Sequence, residues 1–322
     1  CVVDAILDEK PYPIKMLVSQ SGNPVVSLMD AGRVEKALEK VEFLVVIDKF
    51  MTRTARLADV VLPASSCFEK TQLNRAYLRN RLVRIQNQVI EPLADSWPDW
   101  KIIFELARRI GLEKDFPWQS VEEAIDYQLE PIGVSVQQLR ENPDGIAVDE
   151  MRFAKFKNEG FNTPSGKVEF APQQLKGAGV SAVPYEDGYV NEPISFSGES
   201  GKFPLLGISG ARSNRFTHSQ FHQVDTLSQS RKGCVVDIHP DDAQNYAIDN
   251  GDEIMVETPR GRIEMPARIS SDVHPGSIRI AWGWGDLDPK YSLNRLTDDD
   301  RRNPVIGTPS GRSFMCRISK VA

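Results

Sequence analysis

Residues 43–47 read Phe-Leu-Val-Val-Ile, five apolar residues in succession with no alternation. A strand with one wet face alternates. An unbroken apolar run of strand length is what a strand buried on both faces requires, as in a parallel sheet covered by helices. The neighbouring segments fit that setting. Ile14–Ser19 reads as a short apolar strand, followed by the turn Gly22-Asn23-Pro24. Arg33–Val41 has helical spacing, with Val34, Leu38 and Val41 on one face. Thr52–Ala58 predicts a short helix, and Val60-Val61-Leu62 a strand stopped by Pro63. Asp99–Ile110 predicts a longer helix whose stripe is Ile102, Ile103, Leu106 and Ile110, started by Pro98 and ended by Gly111. Strand–helix alternation of this kind predicts a parallel sheet with helices on its faces.

The texture changes from Phe203 onward. Glu253–Glu257, Arg262–Ile269 and Ser277–Trp282 are short β-rich runs punctuated by Gly251 and Gly261. One short helix is expected there, Pro240–Asn245. The fold class expected is therefore an α/β parallel-sheet domain over residues 1–175 and a β-barrel-like domain over 203–322. Residues 176–202, rich in Gly, Ser, Pro and Glu, are expected to link them. Within the weaker stretch between, FNTPSGKVEF at 161–170 mixes turn residues with a short strand.

Composition removes several classes. The 39 basic and 45 acidic side chains leave a formal charge of −6, against a nucleic-acid binder. No apolar run approaches the ~18 residues of a membrane span. Cys1, Cys67, Cys234 and Cys316 lie far apart with no C-x-x-C, so the ligand sets of zinc ribbons and iron–sulfur clusters are missing. Cys67 and Cys234 read as buried, inert thiols. His218 and His222 are four apart but lack an H-E-x-x-H. The opening CVVDAILDEKPYPIKMLV has no start methionine or signal-peptide pattern and reads as mid-protein sequence. The expectation is an excised C-terminal part of a longer chain.

Parallel α/β sheets bind ligands at the carboxyl ends of their strands. Gln20, Gly22 and Asn23 follow the first strand, Asp48 and Thr52 the second, and Ser65, Ser66, Glu69 and Lys70 the third. Gly22 would admit a phosphate close to backbone, and an acid placed like Asp48 commonly bonds ribose hydroxyls. No G-x-G-x-x-G occurs, which excludes an ordinary NAD-type site. Each residue also has a plainer reading: Gly22-Asn23-Pro24 as a turn, Asp48 as a helix cap, Glu69 and Lys70 as solvated charge, Asp99 as a first-turn acid, and Trp282 and Trp284 as core aromatics.

The stretch VVIDKFMTRTARLADVVLPASSCFEK at 45–70 closely resembles the molybdopterin oxidoreductases of the dimethyl-sulfoxide-reductase superfamily. Further pieces resemble that family in the same order: SGNPVVS at 21–27, SWPDWKIIFELARRIG at 96–111, FNTPSGKVEF at 161–170, FTHSQF at 216–221, DIHPDDAQNYAIDNGDEIMVETPRGRI at 237–263 and NRLTDD at 294–299. The resemblance implies that the first half is part of the family's Rossmann-like third domain and the second half its double-psi β-barrel fourth domain. It implies a bis(molybdopterin guanine dinucleotide) cofactor of molybdenum or tungsten. Asn23, Asp48 and Lys70 match positions that contact the guanosine end or its phosphates, with Ile47 contributing backbone, and Asp99 a position that bonds a purine or pterin edge. Ser209, Arg212, His218, Ser219 and Gln220 match the segment that wraps a pterin and its pyrophosphate. Trp284, Asn294 and Arg312 match later contact positions.

The same resemblance places the protein ligand to the metal and the cysteines of a [4Fe–4S] cluster in an earlier, N-terminal part of the parent chain. That part is an expected partner, as are an iron–sulfur electron-transfer subunit and a membrane-anchor subunit. The expected function is that of a C-terminal fragment contributing dinucleotide binding to two-electron redox chemistry on a small sulfur or oxyanion substrate, and inactive alone. HSQF and the closing SGRSFMCRI resemble the branch that includes polysulfide, thiosulfate and arsenate reductases and acetylene hydratase. A periplasmic or periplasm-facing parent is expected, with a cytoplasmic one as the alternative. A non-catalytic relative, like the large iron–sulfur subunit of respiratory NADH dehydrogenase, and a purely structural or assembly module are the other readings. The retained Asp48, Lys70, Asp99, Arg212 and Asn294 speak against the first, because a decayed site is free to lose them.

Overall fold

The computed structural model describes residues 2–74, 81–149, 152–177, 179, 181–182, 196–211, 216–228, 234–300, 302, 307–309 and 311–321. The first half begins with α1 (Val2–Asp8), β1 (Met16–Gln20), α2 (Pro24–Ser27), α3 (Ala31–Lys40), β2 (Phe43–Asp48) and β3 (Val60–Pro63). The strands form a three-stranded parallel, Rossmann-like sheet in the order β1-β2-β3. Leu44, Val45, Val46 and Ile47 are all buried, the two-sided burial the apolar run predicts. α3 turns Ala31, Val34, Ala37 and Leu38 inward, and Asp30 caps it by accepting the Arg33 N–H at 3.2 Å. The segment Thr52–Ala58 yields only a 3-10 turn, Ala55–Leu57.

The chain folds as two units. One comprises Cys1–Val46, Phe50–Val60 and Phe170–Ala322; the other comprises Ile47–Lys49 and Val61–Glu169. In the second unit, β4 (Gln72–Asn74) and β5 (Leu82–Gln86) pair antiparallel, followed by α4 (Asp99–Arg109), α5 (Val121–Leu129), α6 (Val136–Glu141) and β6 (Ile146–Ala147), which returns to β5. Ile125, Leu129, Val136 and Leu139 are its core, packed against Leu73, Val83 and Ile85.

α4 departs from its expected stripe. Ile102, Phe104 and Ala107 are buried, while Leu106 is 37% and Ile110 69% exposed. Aromatic packing turns the helix: the Phe104 ring lies 5.5–5.9 Å from those of Trp100, Trp118 and Phe116. Residues 161–170 hold no strand. They form a turn in which the Phe161 N–H donates to the Gly166 carbonyl at 3.2 Å.

The first unit also contains a closed six-stranded barrel. Its strands are β7 (Leu205–Ala211), β8 (Val236–Ile238), β9 (Glu253–Glu257), β10 (Arg262–Ile269), β11 (Ser277–Ala281) and β12 (Ser313–Lys320), ordered β10-β8-β11-β7-β12-β9. β10 pairs parallel with β8 and β11 with β7; the other neighbours are antiparallel. This mixed closed barrel is consistent with a double-psi β-barrel. Val236, Ile238, Ile254, Val256, Ile263, Met265, Ile278, Ile280 and Phe314 fill it. Gly207 is required, since a Cβ there would lie 2.4 Å from the Phe314 ring. Asp237, fully buried on β8, is clamped by Arg268 Nε at 2.5 Å and Arg279 Nε at 2.7 Å from the two flanking strands. Besides Pro240–Asn245, this half contains a second short helix, Asp225–Ser228, and 3-10 turns at Trp284–Asp286, Pro289–Tyr291 and Leu293–Arg295, which the single-helix expectation omitted.

Candidate functional site

In the second unit, polar groups gather where β2 and β3 end. Ile47 is fully buried and the next residue, Asp48, closes β2; its carbonyl accepts the Ala64 N–H at 3.1 Å. Ser65 is 1% exposed and its Oγ meets no hydrogen-bond partner. Ser66 opens a 3-10 turn with a reciprocal cap, its N–H donating to Glu69 Oε2 at 2.5 Å. The Leu93 N–H donates to Glu69 Oε1 at 2.6 Å. These bonds, led by those from Ser66, hold the Glu69 carboxyl below the usual carboxylate range. Glu69 thus pins the turn, and the turn delivers Lys70 to Asp99 as an ion pair. The pair's side chains are 15% and 19% exposed. Asp99 is the first residue of α4, where the helix dipole favours a carboxylate. Two residues that the sequence marked separately are each other's partners.

Cys67, expected to be buried, is exposed. It lies on the same turn as Glu69, and the inward place is taken by the Glu69 carboxylate. Cys234 and Cys316 are buried, and burial pushes the Cys316 thiol up to about 12.

In the first unit, Asn23 is 8% exposed and bonded at both ends of its amide. Its Oδ1 accepts from Thr54 Oγ1 at 2.8 Å and the Thr54 N–H at 3.4 Å, and its Nδ2 donates to Asp286 Oδ1 at 2.7 Å. Asp286, 4% exposed, also accepts the Arg53 N–H at 2.8 Å on Oδ1 and Gln223 Nε2 on Oδ2. Arg53 pairs with Glu35, which also accepts from Arg295 Nη2 at 2.9 Å; Arg53 Nη1 is buried without a partner. A cavity of about 210 Å³ is bordered by Glu35, Arg53, Arg56 and Asp286.

The segment 216–223 is folded tightly on the barrel. Thr217 and Gln220 bridge, with the Gln220 N–H donating to the Thr217 carbonyl at 2.9 Å, so His218 and Ser219 form a turn. The His218 ring stacks edge-on to Trp282 at 4.6 Å. Gly283 (φ +95°) passes so close to the His218 carbonyl that a Cβ would approach it to 2.2 Å. His222 is 2% exposed between Phe216 and Trp284, at 4.2 and 4.4 Å, and neither ring nitrogen finds a partner at hydrogen-bond geometry. Burial holds its pKa below the usual histidine value, partly opposed by the charge of Asp286 and by the His218 carbonyl.

Of the remaining expected site residues, Trp284 is 2% exposed in the barrel core. Asn294 is buried, donating from Nδ2 to the Val26 carbonyl at 2.6 Å. Ser209 Oγ donates to the Gly311 carbonyl at 3.0 Å, and the Ser209 N–H to the carbonyl of Arg312, whose side chain is exposed. Arg212 lies outside the described residues. Sequence reasoning missed Glu35, Gln223 and Asp286, isolated polar residues with no motif spacing, and gave no role to Thr54 or His222; only the fold supplies one. Among the described residues no group of three or more His, Cys, Asp or Glu is placed to hold a metal ion, and no helix is long and apolar enough to cross a membrane.

Comparison with known proteins accounts for both halves. Residues 3–109 match the family described as "Molybdopterin oxidoreductase", and residues 206–315 the family described as "Molydopterin dinucleotide binding domain". The chain is 30% identical over 279 residues to the acetylene hydratase of Syntrophotalea acetylenica, covering 87% of this chain and 38% of that one. It is 30% identical over 347 residues to the dimethyl sulfoxide/trimethylamine N-oxide reductase of Cereibacter sphaeroides, covering 97% and 42%. The solved acetylene hydratase of Pelobacter acetylenicus superposes with a TM-score of 0.86 at 26% identity, over 99% of this chain and 46% of that chain. The chain thus spans less than half the length of these relatives.

Proposed function

The chain belongs to the molybdopterin oxidoreductase superfamily, and from that premise we propose that it binds the bis(molybdopterin guanine dinucleotide) form of molybdenum or tungsten. The observation that carries this reading is the polar set at the ends of β2 and β3: Asp48, the half-buried Lys70–Asp99 pair, and a buried Ser65 hydroxyl with no partner. A buried orphan hydroxyl is costly unless an occupant satisfies it. A carboxylate, which accepts in one plane, suits the paired N–H donors of a guanine edge, and an ammonium suits a phosphate.

In this reading Asp48, Lys70 and Asp99, with Ile47 backbone, hold the guanosine end. Ser209, Arg212, His218, Ser219 and Gln220 serve the pterin and its pyrophosphate, with Arg312 a later contact. Asn23, Asn294 and Trp284 act by holding backbone, since their polar groups or rings are engaged within the fold. The metal–dithiolene group, when bound, supplies the two-electron chemistry, and this chain supplies orientation and electrostatics. The whole protein would act on a small sulfur or oxyanion substrate. An iron–sulfur cluster, an electron-transfer subunit and a membrane anchor would come from outside this chain.

The test is chemical analysis of the protein matured in its native host. Molybdenum or tungsten together with guanine, released as GMP by acid, is expected in fixed ratio to polypeptide. Protein with iron–sulfur clusters but neither guanine nor metal of this kind would be a non-catalytic relative, and the proposal would fall.

A further inference from the structure

We infer that Asp286 is the positioning residue of the cofactor site in the first unit, an assignment that rests on the proposed function. Its carboxylate is 4% exposed and accepts hydrogen bonds from three separate segments: Asn23 Nδ2 at 2.7 Å from the turn after β1, the Arg53 N–H at 2.8 Å from the loop after β2, and Gln223 Nε2 from the segment after β7. A buried carboxylate is costly unless bonded. Here the bonds go to loops. Two of those segments belong to the proposed site: one carries Asn23, which holds backbone there, and another carries the proposed contacts His218, Ser219 and Gln220.

The orientation is determined at both ends. Thr54 donates twice to the Asn23 oxygen, so the Asn23 nitrogen must face Asp286. Because the acceptor is charged, each bond to it is stronger than its neutral counterpart. An apolar residue could fill the space at 286 but could not fix the relative register of the three loops.

Asp286→Ala should lower guanine and molybdenum or tungsten per polypeptide roughly tenfold or more under limiting cofactor supply. In the same variant, amide hydrogen exchange over residues 50–57 and 217–224 should quicken by about tenfold or more in cofactor-free protein. The charge-neutral swap Asp286→Asn with Gln223→Glu preserves the pattern. The new Asn oxygen still accepts from Asn23 and Arg53, and its nitrogen donates to the new Glu. That double variant should recover both readouts. Asp242→Ala is the control, because Asp242 is also buried in this unit, at 8% exposed, and its carboxylate accepts the Gly276 N–H at 2.7 Å without drawing the three loops together. It should lose stability and keep cofactor. Wild-type retention and exchange in Asp286→Ala, or equal cofactor loss in Asp242→Ala, overturns the assignment. A wild-type protein without guanine or metal sinks the proposed function instead, and the exchange readout still decides whether Asp286 organises the loops.

Discussion

Breaking the Lys70–Asp99 pair should cost much more than breaking a surface ion pair. Both side chains are less than a fifth exposed, so solvent screens the interaction weakly. Asp99→Ala removes a charge-assisted bond worth ~1.5–3 kcal/mol and a first-turn dipole contribution of ~0.3–1 kcal/mol. Together these give about 2–4 kcal/mol, or a fall in thermal midpoint on the order of 4–16 °C. A double-mutant cycle with Lys70→Met isolates the pair, with an expected coupling of about 1.5–3 kcal/mol. The same proteins can be melted with GDP, which stands in for the guanosine diphosphate part of the dinucleotide. Saturating GDP at ~100 times its Kd should stabilise wild type by about 2.7 kcal/mol, and Asp99→Ala should lose roughly half of that gain or more. A coupling below about 0.5 kcal/mol, the level of exposed pairs, would refute the burial argument. A GDP shift that survives undiminished in Asp99→Ala would remove Asp99 from the binding site.

Other outcomes follow from the same geometry. Gly207→Ala forces a Cβ against the Phe314 ring and should cost about 1–3 kcal/mol in denaturant unfolding, with Phe314→Leu relieving part of the loss. Among the described thiols, Cys67 should react with a disulfide reagent in the native protein, while Cys234 and Cys316 should wait for unfolding; equal rates for Cys67 and Cys316 would contradict their burial. His222 has a folded pKa below its unfolded value of about 6.5, so the unfolded chain takes up its proton first. Its contribution to stability should be present above that pH and shrink as pH falls toward the folded pKa, and this part of the slope should vanish in His222→Phe.

The parts of the fold that sequence displays are those with a strict period or a clear stop. β9, β10 and the helix Pro240–Asn245 fall where branched residues, Gly251, Gly261 and Pro240 place them. β2 is legible because burial on both faces leaves nothing but apolar residues. The rotation of α4 was hidden, because it is decided by Trp118 and Phe116 from beyond the helix itself. α5 and α6 escaped notice because each is short and relies on β4 and β5 for its core. Within the site, Lys70 and Asp99 could each be picked out, but not their pairing, which a capped turn and a helix start create together. Asp286 carried no signal, since one carboxylate after Trp284-Gly285 gains meaning only when three loops converge on it.

The closing of the barrel also sets an order of events during synthesis. β12 is made last, yet it lies between β7 and β9. Its Cys316 pairs with Leu205, 111 residues earlier. Until β12 has been synthesised, β7 and β9 each present a row of unpaired backbone groups to whatever is nearby, the condition under which strands join the wrong chain. Contacts between such distant residues also form slowly, because the long loop must close first. The nascent protein therefore passes through an interval in which its second half is nearly complete in sequence and still open at two edges. That interval is the natural moment for a chaperone to hold the chain.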